Sequence, residues 1–248
     1  MDVFVDLPST QKGSHLSRNL EVISELVDQS VRNPVSGLEV LAANICRLLL
    51  EKHDYASQAE VNVVGDYFLE RSSPNGKSSL ESFKLIAKAR NRRGNGLVKL
   101  IGVEVIGMTA CPCAMETIRT RHEELVPNGG PDVPVITHNQ RNVSSVLMEV
   151  PEELDVEAND LLNIVEASFS SPTYEILKRG AEADVVVQAH KNPKFVEDVV
   201  REILGRILDR YQHLPDEILV TVRSESEESI HKHNAFAERV TTLGDLRK

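Results

Sequence analysis

The sequence predicts an α+β protein built from two related modules, each combining strands with helices. Two observations carry this. A helix followed by an alternating strand occurs twice, and Leu41, Ile45, Leu49 and Leu50 of the first helix match Val199, Ile203, Ile207 and Leu208 of the second at one constant offset. Between the two lies NRRGNG at residues 91–96, a turn-rich, basic junction that reads as a domain boundary or a hairpin loop. The boundary is placed there, giving modules of residues 1–95 and 96–248.

In the first module, Ser36 and Glu39 form a capping box, after which Leu38, Leu41, Ile45, Leu48 and Leu49 recur at helical spacing, predicting a helix over 37–53. Residues 59–69 alternate through Val61, Val63 and Tyr67 as a half-buried strand does. The second module opens with a strand at 97–108, continues with one at 142–150, and enters a helix at 156–168 whose Leu161, Leu162, Val165 and Phe169 share a face. Asn192 is placed as an N-cap with Pro193 at the first helical position, and Phe195, Val196, Val199, Val200, Ile203, Ile207 and Leu208 form one stripe. After a break at 213–215, residues 218–222 alternate as a strand. The stretch 123–134, with two glycines and three prolines, is expected to be an exposed excursion.

The 248 residues are 41% hydrophobic, ordinary for a chain that buries a real core. No apolar run reaches the ~18 residues of a membrane span, and the start MDVFVDLPST lacks a basic region followed by an apolar one, so a soluble cytoplasmic protein is expected. A net charge of −10 argues against nucleic acid, whose backbone is held by an excess of Lys and Arg. The three cysteines cannot all pair internally, and reduced thiols are expected.

Three motifs carry the chemistry. Cys111-Pro112-Cys113 places two thiols one residue apart; Pro112 pushes Cys111 into an extended conformation, so both sulfurs are expected to face one side of a strand end. Small buried thiols are the plainer reading, because structural zinc sites favour wider Cys spacing. His138-Asn139-Gln140-Arg141 offers an imidazole in a loop. Glu228, His231 and His233 put a carboxylate and two imidazoles beside a strand, where imidazoles can pass protons near neutral pH; a solvated edge strand is the plainer reading. Glu182, in KRGAEADVVV, is read as leaving a turn and entering a strand, within reach of a metal or simply on the surface. Glu197 falls in the first turn of its helix, where the dipole favours an acid whatever else it does. Of the remaining histidines His53, His122, His190 and His213 are read as surface groups, and His15 is set aside. Together the motifs resemble one divided metal site, and the chain reads as a metal-dependent hydrolase.

The strings LPSTQKGSHLSRN, GVEVIGMTACPCA, THNQR, KRGAEADVVVQAHKNPKFVEDVVR and ESEESIHKHNAFAERV, spread over nearly the whole length, resemble the metal-dependent GTP cyclohydrolases of the type IB and archaeal MptA group. The MTACPCAMETIR context and the long insertion before THNQR favour the archaeal branch. The resemblance implies the tunnelling fold, or T-fold: two tandem modules of antiparallel strands with helices packed on one face. It implies a homotetramer with sites at subunit interfaces, as open half-barrel edges also suggest. The implied reaction converts GTP to 7,8-dihydroneopterin 2′,3′-cyclic phosphate with release of formate and diphosphate, on the route to methanopterin. The type IB alternative gives 7,8-dihydroneopterin triphosphate.

By the same resemblance Cys111, His138 and Glu182 are metal ligands, Fe(II) foremost with Zn(II) or Mn(II) as alternatives. Arg179, Gly180 and Ala181 stand where the family has Arg-Pro-Asp before that acid. Glu197 falls on the acid that anchors guanine, and Glu228, His231 and His233 on the active-site Glu-x-x-His-x-His. Arg141, Lys191 and Lys194 are candidates for the phosphates; Arg90, Arg92 and Arg93 are another, with a solvated loop as their plainer role. His15 and Arg18 are candidates to approach a site across an interface. Two other classes stand beside the enzyme: a purine- or pterin-binding T-fold protein without catalysis, and a protein whose Cys pair holds a structural zinc.

Overall fold

The computed structural model of the chain describes residues 1–121, 124 and 136–248. Its order is β1 (Asp2–Val5), α1 (Leu16–Arg32), α2 (Leu38–Lys52), β2 (Gln58–Ser72), β3 (Ser78–Arg92), β4 (Gly96–Ala110), α3 (Pro112–Thr120), β5 (Asn139–Pro151), α4 (Ala158–Ser168), β6 (Ser171–Pro172), α5 (Arg179–Lys191), α6 (Val196–Arg210), β7 (Leu219–Ser226), β8 (Ala235–Thr242) and α7 (Leu243–Leu246). Every strand pairing is antiparallel, in the order β1-β2-β3-β4-β5-β7-β8, with β6 beside β4. The sheet runs unbroken across residues 91–96, which make the β3–β4 hairpin with Gly94 and Gly96 at positive φ.

Two hydrophobic clusters lie between the sheet and its helices. One joins Ile45, Cys46 and Leu49 of α2 to Ala59, Val61, Ala87 and Ala89 of β2 and β3. The other joins Leu161, Leu162 and Val165 of α4 and Val199, Ile203 and Ile207 of α6 to Ile101, Val103, Val146, Met148, Val220 and Val222. These strand residues stack in register, Ile101 opposite Met148 and Met148 opposite Val220, because alternate residues share a face. Helices α2 and α6 are each fifteen residues long and keep the offset that matches Ile45 with Ile203, so the repeat seen in the sequence extends to both helix ends.

Several expectations are corrected. Helix α2 has Gly37, not Ser36, as its N-cap, and no side chain caps it; the Glu39 carboxylate is folded back so tightly that a Cβ on Gly37 would lie 2.3 Å from Glu39 Oε1. Asn192 closes α5 rather than opening α6, whose N-cap is Phe195 with its N–H donated to Asp198 Oδ2 at 3.0 Å. The DVVV run that suggested a strand is the middle of α5, packed through Ala181, Val185 and Ala189 at four-residue spacing. His53 is fully buried, not a surface group: its Nε2 lies 2.6 Å from Asn19 Oδ1 and its Nδ1 2.8 Å from Tyr55 Oη. Arg93 lies exposed on the hairpin loop, and its guanidinium also donates to the carbonyls of Ala56 at 2.8 Å and Leu50 at 2.5 Å, holding the end of α2 against the hairpin. His122 and, Glu124 apart, the excursion at 123–134 lie outside the described residues. No helix among the described residues is long and apolar enough to cross a membrane.

Candidate active site

Strand ends build the site. The last rung between β4 and β5 pairs Ala110 with Asn139, so Cys111 and His138 face each other one step beyond the ladder. The Cys111 N–H donates to the His138 carbonyl at 3.1 Å, and Thr137 Oγ1 donates to the Cys111 carbonyl at 2.7 Å. Cys111 is extended (φ −73, ψ 118) as Pro112 requires, and it is also the N-cap of α3, its Sγ accepting from the Ala114 N–H at 3.5 Å. Cys113 is therefore in a helix and not at a strand end, yet both thiols border the same cavity.

On the next strands, β5 and β7 pair Asn142 with Ser226, and the Glu227 N–H donates to the Arg141 carbonyl at 2.9 Å. This brings Glu228 beside Gln140, with 3.5 Å between Gln140 Nε2 and Glu228 Oε1. The link between β7 and β8 carries His231 and His233, whose rings stack with centroids 5.4 Å apart and 23° between planes. Asn234 anchors that link by donating to Glu225 Oε1 at 3.1 Å. From the other side comes the start of α6, tied to the end of β4 by the Lys194 N–H bonded to the Ala110 carbonyl at 3.0 Å. The result is one cavity of about 420 Å³ bordered by Cys111, His138, Glu197, Glu228, His231 and His233, residues up to 122 positions apart in the chain.

Not every candidate is there. Glu182 is exposed in the first turn of α5 and does not border the cavity. Arg141 is exposed on β5, and alternation puts its side chain on the face opposite His138 and Gln140. Lys191 ends α5 and borders a separate, mostly apolar cavity of about 720 Å³. Lys194 borders the site, but its ammonium is turned inward onto the carbonyls of Ser168 at 3.0 Å and Phe169 at 3.3 Å and onto the Glu202 carboxylate. Burial pushes the Glu202 carboxyl up, and hydrogen bonds from Lys194 and Arg206 outweigh it and hold it below the usual range. His15 and Arg18 lie at the start of α1, where Arg18 Nη1 donates to the Lys52 carbonyl at 2.7 Å, outside this cavity.

Residues the sequence reading missed also border the site. Phe195, assigned to the apolar stripe, is 45% exposed and borders the cavity together with Glu197; Ile230 adds a second apolar wall. The sequence signal for Phe195 was its place between a proline-marked break and the first helical acid. Thr109 is a polar group at a strand end with no signal of its own, and Gln140 lies inside the His-Asn-Gln-Arg motif, where only His138 and Arg141 were assigned roles.

Among the described residues no three His, Cys, Asp or Glu side chains are close enough to hold an ion together. The donor chemistry fits a metal in part: a thiol and an imidazole, Cys111 and His138, stand across a backbone hydrogen bond on one cavity.

The profile of the family described as type I GTP cyclohydrolase folE2 matches residues 1–237. The chain belongs to this family. Among similar proteins, the GTP cyclohydrolase MptA of Methanothermobacter thermautotrophicus is 47% identical, over 99% of this chain and 81% of that one. The GTP cyclohydrolase MptA of Methanococcus aeolicus is 44% identical, over 99% and 84%. Among solved structures, a uricase from Bacillus fastidious superposes with a TM-score of 0.55 at 11% identity, covering 99% of this chain and 81% of that one. The uricase from Arthrobacter globiformis gives 0.51 at 10%, covering 97% and 84%. These last two likenesses bear on fold alone, and the cyclohydrolase chain has the tunnelling fold, an α+β architecture.

Proposed function

We propose that the chain is a GTP cyclohydrolase that opens the guanine imidazole ring at C8, releasing formate and diphosphate to leave 7,8-dihydroneopterin 2′,3′-cyclic phosphate for methanopterin synthesis. The observation that carries the reading is the single cavity onto which Cys111, His138, Glu197, Glu228, His231 and His233 converge from four chain segments. Its volume suits a nucleoside-sized ligand. Full-length relatives bearing the MptA name support the cyclic-phosphate product.

In this reading the Glu197 carboxylate accepts two hydrogen bonds from guanine, one from N1–H and one from the exocyclic amine, and so discriminates against purines lacking that amine. Phe195 offers its ring to the base. His231 and His233 hold and release protons at the imidazole ring being opened, and Glu228 orients the polar side of the cavity. Cys111 and His138 hold a divalent metal, Fe(II) in the first place, with Zn(II) or Mn(II) compatible with the same donors. When bound, such an ion supplies a water acidic enough to attack near neutral pH. Glu182 joins this set only through a neighbouring copy, in keeping with a homotetramer whose sites lie between subunits; the exposed apolar residues Phe236 and Val240 on the edge strand β8 support assembly. Its place of action is the cytoplasm, as unpaired thiols at Cys46, Cys111 and Cys113 favour.

The test is anaerobic incubation of Fe(II)-loaded protein with GTP and identification of the pterin by mass. The cyclic phosphate together with formate is expected; unchanged GTP refutes the reading, and a triphosphate product refutes the archaeal branch of it. Cys111→Ser should lose both metal and turnover. If both survive, Cys111 is not a ligand.

A further inference from the structure

Gln140 is a polar group on the cavity whose contacts reach two candidate site residues, His138 and Glu228. It stands on β5 two residues beyond His138, so both side chains leave the same face of the strand. Its Oε1 lies 2.8 Å from His138 Nδ1, while its Nε2 lies 3.5 Å from Glu228 Oε1 and 3.5 Å from Thr109 Oγ1. A carboxamide has one accepting end and one donating end, and an ionised carboxylate only accepts. The amide nitrogen must therefore face Glu228, since the reverse orientation would set oxygen against oxygen. That leaves the amide oxygen facing His138, and an oxygen in that place requires a proton on Nδ1. Ser229 Oγ, 3.3 Å from Nδ1, is compatible with either role because a hydroxyl both donates and accepts, whereas Glu228 Oε2 at 4.0 Å puts negative charge on the Nδ1 side of the ring.

We infer that Gln140, oriented by Glu228, is a positioning residue that holds His138 in its Nδ1–H tautomer and so keeps the Nε2 lone pair available. The tautomer follows from the hydrogen bonds whatever the substrate. Its use, presenting Nε2 to a cation, rests on the reading of His138 as a metal ligand. The relay joins a glutamate on the β7–β8 link to the histidine just before β5, the charge of one and the tautomer of the other meeting through one amide.

The experiment is the imidazole nitrogen NMR spectrum of metal-free protein labelled with 15N at histidine, with the His138 signals assigned by their loss in His138→Gln. Wild-type protein should show Nδ1 protonated and Nε2 bare. Gln140→Leu removes the acceptor and should move the ring toward the Nε2–H form that free imidazole favours. Gln140→Glu keeps an acceptor opposite Nδ1 and should keep the wild-type pattern, while Glu228→Gln frees the amide and should give a mixture. A wild-type ring protonated at Nε2, or a folded Gln140→Leu protein with the wild-type pattern, overturns the inference. Should Gln140→Leu fail to fold, the wild-type and Glu228→Gln spectra decide. Co(II) affinity, followed by its visible absorption, should fall about 10- to 100-fold in Gln140→Leu. A tautomer that changes with no loss of Co(II) affinity overturns the ligand reading of His138 and leaves the hydrogen-bond relay standing, so the two failures are told apart.

Discussion

Replacing Lys194 by Met separates two roles for one cation. If Lys194 bound the triphosphate, the variant would fold as before and lose affinity for GTP. The structure instead buries the residue to 8% exposure and turns its ammonium onto two carbonyls at the end of α4 and onto Glu202. Losing the charged hydrogen bonds to the Ser168 and Phe169 carbonyls costs about 1.5–3 kcal/mol each at most. The Glu202 pair adds less than a fully buried one, because that carboxylate is 31% exposed and keeps Arg206 at 2.6 Å. Methionine recovers much of the apolar packing of the stem. The net expectation is a destabilisation of about 3 kcal/mol, which at an m-value near 3 kcal/mol/M moves the urea midpoint down by about 1 M. Equilibrium unfolding at matched protein concentration measures it, with the KM for GTP taken alongside in the folded fraction. An unchanged midpoint with a KM raised tenfold or more would refute the structural reasoning.

Gly107→Ala should destabilise by at least 1–3 kcal/mol in the same assay, because the added Cβ would sit 2.1 Å from Phe169 Cδ2 in a ring that is 2% exposed. Arg93→Ala should lower stability by about 1–3 kcal/mol without changing kcat, since it uncovers the carbonyls at the end of α2; a change confined to KM would place Arg93 on the substrate instead. Burial, with Arg18 and His15 adding to it and Asp54 opposing, holds the His53 imidazole below its ordinary value of 6.5. The unfolded chain then takes up a proton more readily, so this contribution to stability is complete above the unfolded value and is lost as pH falls through the window between the unfolded and folded values. Unfolding midpoints measured from pH 8 to pH 5 should show that fall in wild type and a flatter profile in His53→Gln.

The helices and strands with one clean period were legible in the sequence: α2, α4 and α6 from their apolar stripes, and β2, β4, β5 and β7 from alternation. Other elements were missed or misassigned, β3 among them although its buried residues, Phe83, Ala87 and Ala89 included, alternate with exposed ones. Helix α1 was not read although it is strongly amphipathic, with only Val22 fully buried, and in α5 the β-branched run Val185 to Val187 imitates a strand while the contact is made by Val185 with Ala181 and Ala189. Strand β8 is an exposed edge with little alternation to read. In the site, the special residue types Cys111, His138, Glu228, His231 and His233 stood out by chemistry, and Glu197 by its place in the first helical turn. Phe195, Gln140 and the inward turn of Lys194 did not, because nothing local distinguishes a ring, an amide or an ammonium that faces a cavity from one that faces the core.

By itself the sequence determined the family, the repeated helix of α2 and α6 and the residue types able to bind a metal, hold a purine and move protons, since these depend on composition and short-range spacing. Only the tertiary structure decided which of them meet. The register of β4, β5 and β7 sets Cys111 against His138 and Gln140 against Glu228, while one turn of helix carries Glu182 away and a pair of buried carbonyls claims Lys194. Register and burial are long-range properties, fixed when the strands pair and the core closes, and no spacing along the chain encodes them locally.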